Sequence, residues 1–428
     1  MMNQIFDEHR HAFPGPDDIT REVLPNGITV LTRSNFNSPT LSIKGYVHSG
    51  SIFDPVEKLG LSYLTAAGLM TGTIEHDFQS LYEEIESLGA SLNFSSGTLT
   101  TSFSAHCLSE DLSVMLNLVS ESLRSPTFPK KEFNRQKTQM LTGLAIRAQD
   151  TAAMSSLLFD QIIYAGHPYE HPEEGYLETV QAIEQEDLLS FYQRTFGPKG
   201  MVIAIVGAVE PETAVNAVRT ALSEWTNPSQ EITPTIPSAQ PLSETIRRAL
   251  SIPGKSQADL VMGSLAPERL SPDYQALRIG NNILGEFGMM GRLGRRVREA
   301  AGLAYYAYSS LSVSIGPGAW EMIAGVNPQN VEETLTLIKD EVNTFVSNPV
   351  SDEELSDSKS SFLGRMPLLL ESNAGVAISL LNMERFNLGM NYFIDYPKQV
   401  QAVTAEDILR ASQKYLDPER LAIAIAGP

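Results

Sequence analysis

The sequence predicts an α+β fold of two similar, duplicated domains, each a mostly antiparallel sheet packed with helices. Three observations predict it: a gapless internal repeat, a proline-rich stretch midway, and two-residue and helical periods mixed within each half. Residues 181–208 read QAIEQEDLLSFYQRTFGPKGMVIAIVGA and residues 401–428 read QAVTAEDILRASQKYLDPERLAIAIAGP, identical at 11 of 28 positions with an offset of 220. Each copy has an acidic helix start (Glu186-Asp187, Glu406-Asp407), a helical stretch, a turn at Pro198 or Pro418, and an apolar run of strand character. Residues 227–242 hold four prolines among small polar side chains, the composition of an extended linker. The expected division is therefore 1–226, a linker at 227–242, and 243–428.

In the first half, Val23-Leu24 and Ile28–Val30 flank Pro25-Asn26-Gly27, a hairpin signal. Leu41, Ile43, Gly45 and Val47 alternate as in a strand, and so do Phe103, Ala105 and Cys107. Helical spacing appears at Leu112, Met115, Leu116, Val119 and Leu123, and in the second half at Val331, Leu335, Ile338, Val342 and Phe345. Sheets next to amphipathic helices, without strict strand–helix alternation, give an α+β arrangement, and duplication of one unit accounts for both halves.

With 42% hydrophobic and 19% charged residues the chain has the composition of a globular protein. A formal net charge of −20 repels phosphates and anionic lipid, so neither nucleic acid nor a membrane surface is an expected partner. Residues 1–20 lack a secretory apolar run. The longest apolar stretch, Met201–Val209, falls short of the about 20 residues that span a bilayer. Cys107, the single cysteine, makes no internal disulfide. The expected address is cytoplasmic.

His167–His171 reads HPYEH, the letters of an HxxEH zinc pattern, which needs both histidines on one helical face. Pro168 and Pro172 follow the two histidines and push each away from helical backbone, so a structural loop is expected. His9, His11, His48, His76 and His106 show no ligand spacing beyond the short His9–His11 pair. Pro253-Gly254-Lys255-Ser256 lacks the first glycine of a phosphate loop, because Ala249 stands there. Gly285, Gly288, Gly291 and Gly294 recur every three residues, which is not the dinucleotide spacing. Arg292, Arg295, Arg296 and Arg298 follow at once. Two readings stand for them: a site holding peptide carbonyls or a carboxylate, or a solvated face pairing with Glu299 and Glu286.

Several long segments in fixed order resemble the pitrilysin/insulinase family of peptidases, in the branch of small two-domain subunits related to mitochondrial processing peptidase. They are LPNGITVLTRSN, SGSIFDPVEKLGLSYLTAAGLMTGT, KKEFNRQKTQMLTGL, the HPYEHPEEG loop, NNILGEFGMMGRLGRRVREAAGLAYYAYSS and PERLAIAIAGP. The resemblance places the family's inverted zinc motif at Tyr63, Ala66 and Ala67, after Gly60-Leu61-Ser62, and its distal glutamate ligand at Gly143. Alanine and glycine offer no lone pair to a metal, so no zinc ligand and no general base is expected in this chain. The family's arginine–tyrosine pair, seven residues apart, falls on Arg298 and Tyr305 and implies hydrogen bonds to a substrate backbone and a developing oxyanion. Gly285–Gly294 resembles the substrate-handling loop of noncatalytic subunits, with Glu286, Phe287, Met289 and Met290 interposed.

The resemblance thus implies a noncatalytic subunit with no cofactor of its own, paired with a homologous zinc-bearing peptidase subunit in a chamber of four such domains that admits unfolded peptide. Without that partner a homodimer is one option, and the sequence leaves open whether the chain self-associates. A peptide-binding or scaffold protein outside proteolysis is the alternative, and a peptidase using HPYEH is a third. From net charge, the preferred peptides are basic or neutral.

Overall fold

A computed structural model of the chain describes residues 13–428. Among the described residues eleven strands form two sheets. The first contains β1 (Thr20–Val23), β2 (Thr29–Ser34), β3 (Thr40–Val47), β4 (Ser91–Ser96), β5 (Thr101–Leu108) and β6 (Val202–Gly207), in the order β1-β2-β6-β3-β5-β4. The second contains β7 (Ile246–Ser251), β8 (Ala258–Ala266), β9 (Ala304–Ser312), β10 (Gly318–Val326) and β11 (Ala422–Gly427), in the order β7-β11-β8-β10-β9. Among the described strands only β2 with β6 and β7 with β11 pair in parallel. Removing β1 makes the two orders superimposable, strand for strand, which is the duplication expected from the repeat.

Ten helices carry the argument: α1 (Leu61–Gly68), α2 (Leu112–Arg124), α3 (Lys130–Arg147), α4 (Thr151–Ile163), α5 (Gln185–Thr195), α6 (Tyr274–Asn281), α7 (Val331–Ser347), α8 (Asp352–Leu369), α9 (Asn373–Arg385) and α10 (Ala405–Tyr415). The repeat copies are α5 with β6 and α10 with β11. Every residue of β6 and of β11 is buried, as strands flanked on both edges and covered on both faces require. The Asn26-Gly27 turn joins β1 to β2, with Gly27 at φ 92°. The helical stripes read from the sequence are the buried faces of α2 and α7.

Two compact units result, and they interleave along the chain. One comprises the described residues up to Leu144, with Pro172–Pro234 and Met366–Tyr396; the other comprises Ala145–His171, Thr235–Arg365 and Pro397–Pro428. The contiguous division at 1–226 and 243–428 is therefore not the division in space. Helix α4, from the first half of the chain, packs on β8 and β11, where Phe159, Ile162 and Ile163 join Val261, Ala422 and Ala424 in one apolar cluster. Helix α9, from the second half, packs on β3 and β6. Residues 227–242 contain no helix or strand. Among the described residues no helix is long and apolar enough to cross a membrane.

Candidate functional site

Tyr63, Ala66 and Ala67 lie on α1. The start of that helix is held by a side chain upstream of it: the Asp54 carboxylate accepts the Gly60 and Ser62 amides, both at 2.9 Å. Burial pushes the Asp54 carboxyl up to about 7 against the pull of those amides. Tyr63 is exposed, Ala66 is buried, and the carbonyl of Ala67 accepts Gln136 Nε2 of α3 at 2.8 Å. Gly143, also on α3, is exposed, and a Cβ there would meet nothing within 4 Å. At the four positions that the resemblance marks stand one phenol, two methyl groups and a hydrogen, a set that does not fit zinc, which takes imidazole, carboxylate or thiolate. Among the described residues no group of three or more His, Cys, Asp or Glu could hold a metal ion.

The HPYEH segment is a loop, as its prolines require. Pro168–Glu170 is a single 3₁₀ turn, flanked by His167 and His171 in extended backbone. Both nitrogens of His167 are used: Nδ1 accepts the Tyr169 amide at 3.0 Å, which leaves Nε2–H to donate to the Pro237 carbonyl at 2.9 Å. Elsewhere, His76 lies between Glu121 and Glu84, at 3.0 and 2.8 Å. His9 and His11 lie outside the described residues.

The glycine-rich segment is bracketed by two π-helical turns, Asn282–Glu286 and Gly294–Ala300. The first lies directly on β9, since a Cβ at Gly285 would sit 2.3 Å from the Ser309 amide nitrogen. Gly288 is exposed at φ 63°, and a Cβ at Gly291 would press on Gly285 at 2.8 Å. Here the spacing of three has a packing origin: Gly285 and Gly291 permit close approach, and Gly288 makes the turn.

The arginines divide sharply. Arg292 donates from Nε and Nη2 to the two carboxylate oxygens of Glu354 on α8, both at 2.7 Å. Arg295 reaches Glu354 at 3.9 Å, and Arg296 holds Glu341 and Asp340 of α7 at 2.9 and 3.5 Å. The pairing with Glu299 and Glu286 expected from sequence proximity gives way to carboxylates from two later helices, while Glu286 faces Arg365 at 3.6 Å. Arg298 is exposed, and among the described residues its side chain has no hydrogen-bond or ion-pair partner.

Arg298 lines a cavity of about 530 Å³, together with Gly288, Gly294, Glu286, Tyr274, Arg278, Asn281 and residues 306–311 of β9. Its floor is fixed by Asn281, whose Oδ1 accepts the buried Trp320 indole N–H at 2.9 Å. Of the residues singled out from sequence, the cavity gathers Arg298, Gly288 and Gly294. Tyr305 is on β9, 62% exposed, and is not among the lining residues. Tyr306 and Tyr308, which the sequence did not single out, line the cavity instead. Tyr306 donates its hydroxyl to Asp259, and burial followed by that carboxylate pushes its ionisation up; burial and the nearby Glu321 do the same to Tyr308.

Comparison with known proteins bears on the fold and the family. Residues 29–171 match the model of the insulinase family (peptidase family M16), and residues 182–362 match that of the peptidase M16 inactive domain. The crystal structure of a peptidase M16 inactive domain from Pseudomonas fluorescens superimposes with a TM-score of 0.90 at 27% identity, covering 96% of this chain and 98% of that one. An uncharacterized zinc protease of Mycobacterium leprae is 24% identical over 96% of this chain and 92% of its own length. A Helicobacter pylori protein described as a non-peptidase homolog, YmxG, is 24% identical over 90% of this chain and 89% of its own. The fold, the duplicated sheets and both domain matches place this chain in peptidase family M16, the insulinase family.

Proposed function

We propose that this chain is the noncatalytic subunit of a heterodimeric zinc peptidase, paired with a homologous zinc-bearing subunit that cleaves unfolded peptides. One observation carries the reading: three of four clustered arginines are consumed by internal carboxylates, while Arg298 is left unpartnered at a cavity, in a chain with no zinc-ligand set among its described residues. An exposed guanidinium on a fixed turn is a preplaced donor for peptide carbonyls and for the oxyanion that forms when a carbonyl is attacked. In this reading Arg298 grips the substrate backbone, Tyr305 donates its hydroxyl, the Gly285–Gly294 loop handles the peptide, and the partner supplies zinc and the general base. The address is cytoplasmic.

Co-expression with a family member carrying an intact HxxEH motif tests this. The expected result is a stable pair with chelator-sensitive peptidase activity, which Arg298→Ala lowers and changes at Ala67 do not. Chelator-sensitive hydrolysis by the purified chain alone overturns it. A second reading, a peptide-binding or scaffold protein outside proteolysis, is favoured by the position of Tyr305 off the cavity wall. It predicts recovery from the native source with no zinc-bearing homologue.

A further inference from the structure

His76 has a partner at each ring nitrogen, and both partners are carboxylates. Nδ1 lies 3.0 Å from Glu121 of α2, and Nε2 lies 2.8 Å from Glu84 of the Phe78–Ser87 helix. An ionised carboxylate only accepts hydrogen bonds, and a neutral imidazole carries a single N–H. Both acceptors are served at once only by the imidazolium, since an imidazole holds a shared proton better than a carboxylate does. Hydrogen bonding to Glu121 leads the causes that raise His76 above its ordinary 6.5; burial opposes it, and the charges of Glu121 and Glu84 add to it.

The two contacts are not equally replaceable. Glu121 also accepts the Thr73 hydroxyl, and the His76 loop is tied again to the end of α2 by the Ile74 amide, which donates to the Ser125 carbonyl at 3.1 Å. Among the described residues the Glu84 carboxylate has His76 as its only hydrogen-bond or ion-pair partner. The helix that carries Glu84 buries just Leu81 and Ile85, and it leads directly into β4, the outermost strand of its sheet. One imidazole ring therefore fastens a lightly anchored helix to α2. All three residues belong to the unit of the first sheet, so the contact is independent of the role given to Arg298.

We propose that His76 is a protonation latch: the imidazolium joins Glu84 to Glu121, and its deprotonation frees Glu84 and loosens the segment from the Phe78–Ser87 helix through β4. The neutral ring keeps one N–H, and the loop stays on α2 through Thr73 and Ile74, so the Glu84 side is the one that opens. The third charged group beside the ring is Asp77, whose carboxyl is held low by the Ser80 amide and hydroxyl and further by His76. The proton stabilises the closed form, which is fully favoured below the ordinary value of the ring and lost as pH rises through the raised one. Each pH unit separating the closed-state from the open-state value changes the closed-to-open ratio about tenfold.

Two measurements on the full chain test this. Nitrogen NMR of the histidine rings is expected to show both His76 nitrogens protonated at about pH 6, with a midpoint above that of an ordinary histidine. The signal is identified by its loss in His76→Gln, or by its shift in Glu84→Gln at an exposed position that the fold tolerates. Hydrogen exchange, corrected for its intrinsic acceleration by base, is expected to show residues 78–96 losing protection about tenfold or more between about pH 6 and about pH 9, while α2 keeps it. His76→Gln should start at the open level and show no such loss, and Glu84→Gln should show a smaller one. Asp54, pushed up to about 7 by burial, and His106, opposite Ser91 of β4, remain in both variants. A loss that survives in full in His76→Gln therefore assigns the effect to one of them and overturns the latch. A single N–H on the His76 ring at about pH 6, or protection of residues 78–96 that does not change with pH in the parent chain, overturns it as well.

Discussion

Arg292 and Glu354 face each other fork to fork, with two hydrogen bonds of 2.7 Å and only 16% and 20% of the two side chains exposed. Arg292 also lies over the ring of Phe345, 5.4 Å from its centre, so the pair ties the π-helical turn before Ala300 to α7 and α8. Removing one partner costs the other both short hydrogen bonds and leaves only a longer ion-pair contact, Arg295 at 3.9 Å from Glu354 or Glu341 at 3.7 Å from Arg292. Arg292→Ala is expected to lower unfolding free energy by about 2 kcal/mol, whereas Arg298→Ala, six residues on, stays within about 0.5 kcal/mol. Urea denaturation of the two variants checks this, and equal losses would contradict it.

The same pair sets an acid limit. Hydrogen bonds from Arg292, and then from Ser351, hold the Glu354 carboxyl down to about 2, below its ordinary value of 4.5. A depressed carboxyl stabilises the fold above its unfolded value, and that stability is lost as pH falls toward the folded one. The stability difference between the parent chain and Glu354→Gln should therefore be full at neutral pH and shrink between about pH 4.5 and about pH 2. A difference that stays constant across that interval would show that Glu354 is not the titrating group.

His167 is structural in the same sense. Its two ring nitrogens close the loop onto Tyr169 and Pro237 at a site only 6% exposed. His167→Ala is expected to cost about 1–3 kcal/mol of stability and to leave the metal content of the purified chain unchanged. Elemental analysis of parent and variant is the measurement. Stoichiometric zinc in the parent that disappears in the variant would restore a metal role to HPYEH.

What was legible in the sequence follows from which interactions are local. The repeat at 181–208 and 401–428 gave α5–β6 and α10–β11 because capping is a short-range matter: Glu184 with Asp187 and Thr404 with Asp407 form the same box before each helix. The exchange of α4 and α9 between halves was not legible. An apolar stripe such as Phe159, Ile162 and Ile163 says that a face is buried but not which sheet covers it. The arginine cluster was visible, yet its division was not, because Glu341 and Glu354 arrive from more than forty residues away. The degenerate motif rests on the resemblance to the family, since nothing in the side chains of Tyr63, Ala66, Ala67 and Gly143 marks them by itself.

The four glycines at spacing three look equivalent in the sequence and are not equivalent in space. At Gly285 a methyl group would meet the Ser309 amide nitrogen at 2.3 Å and the Tyr308 carbonyl carbon at 2.9 Å, both main-chain atoms of β9 that cannot rotate away. Gly285→Ala must therefore lift the Asn282–Glu286 turn off the strand and reshape the cavity that Arg298 lines. At Gly288 there is open space, and the cost is only the left-handed backbone at φ 63°. Gly285→Ala is expected to cost about 2–3 kcal/mol, as overpacking does, and Gly288→Ala about 1 kcal/mol. Chemical denaturation ranks the two, and peptide binding separates them further: the first variant should lose affinity in the folded state, while the second keeps it. Equal stability losses with equal affinities would mean that the turn does not rest on β9 at this point.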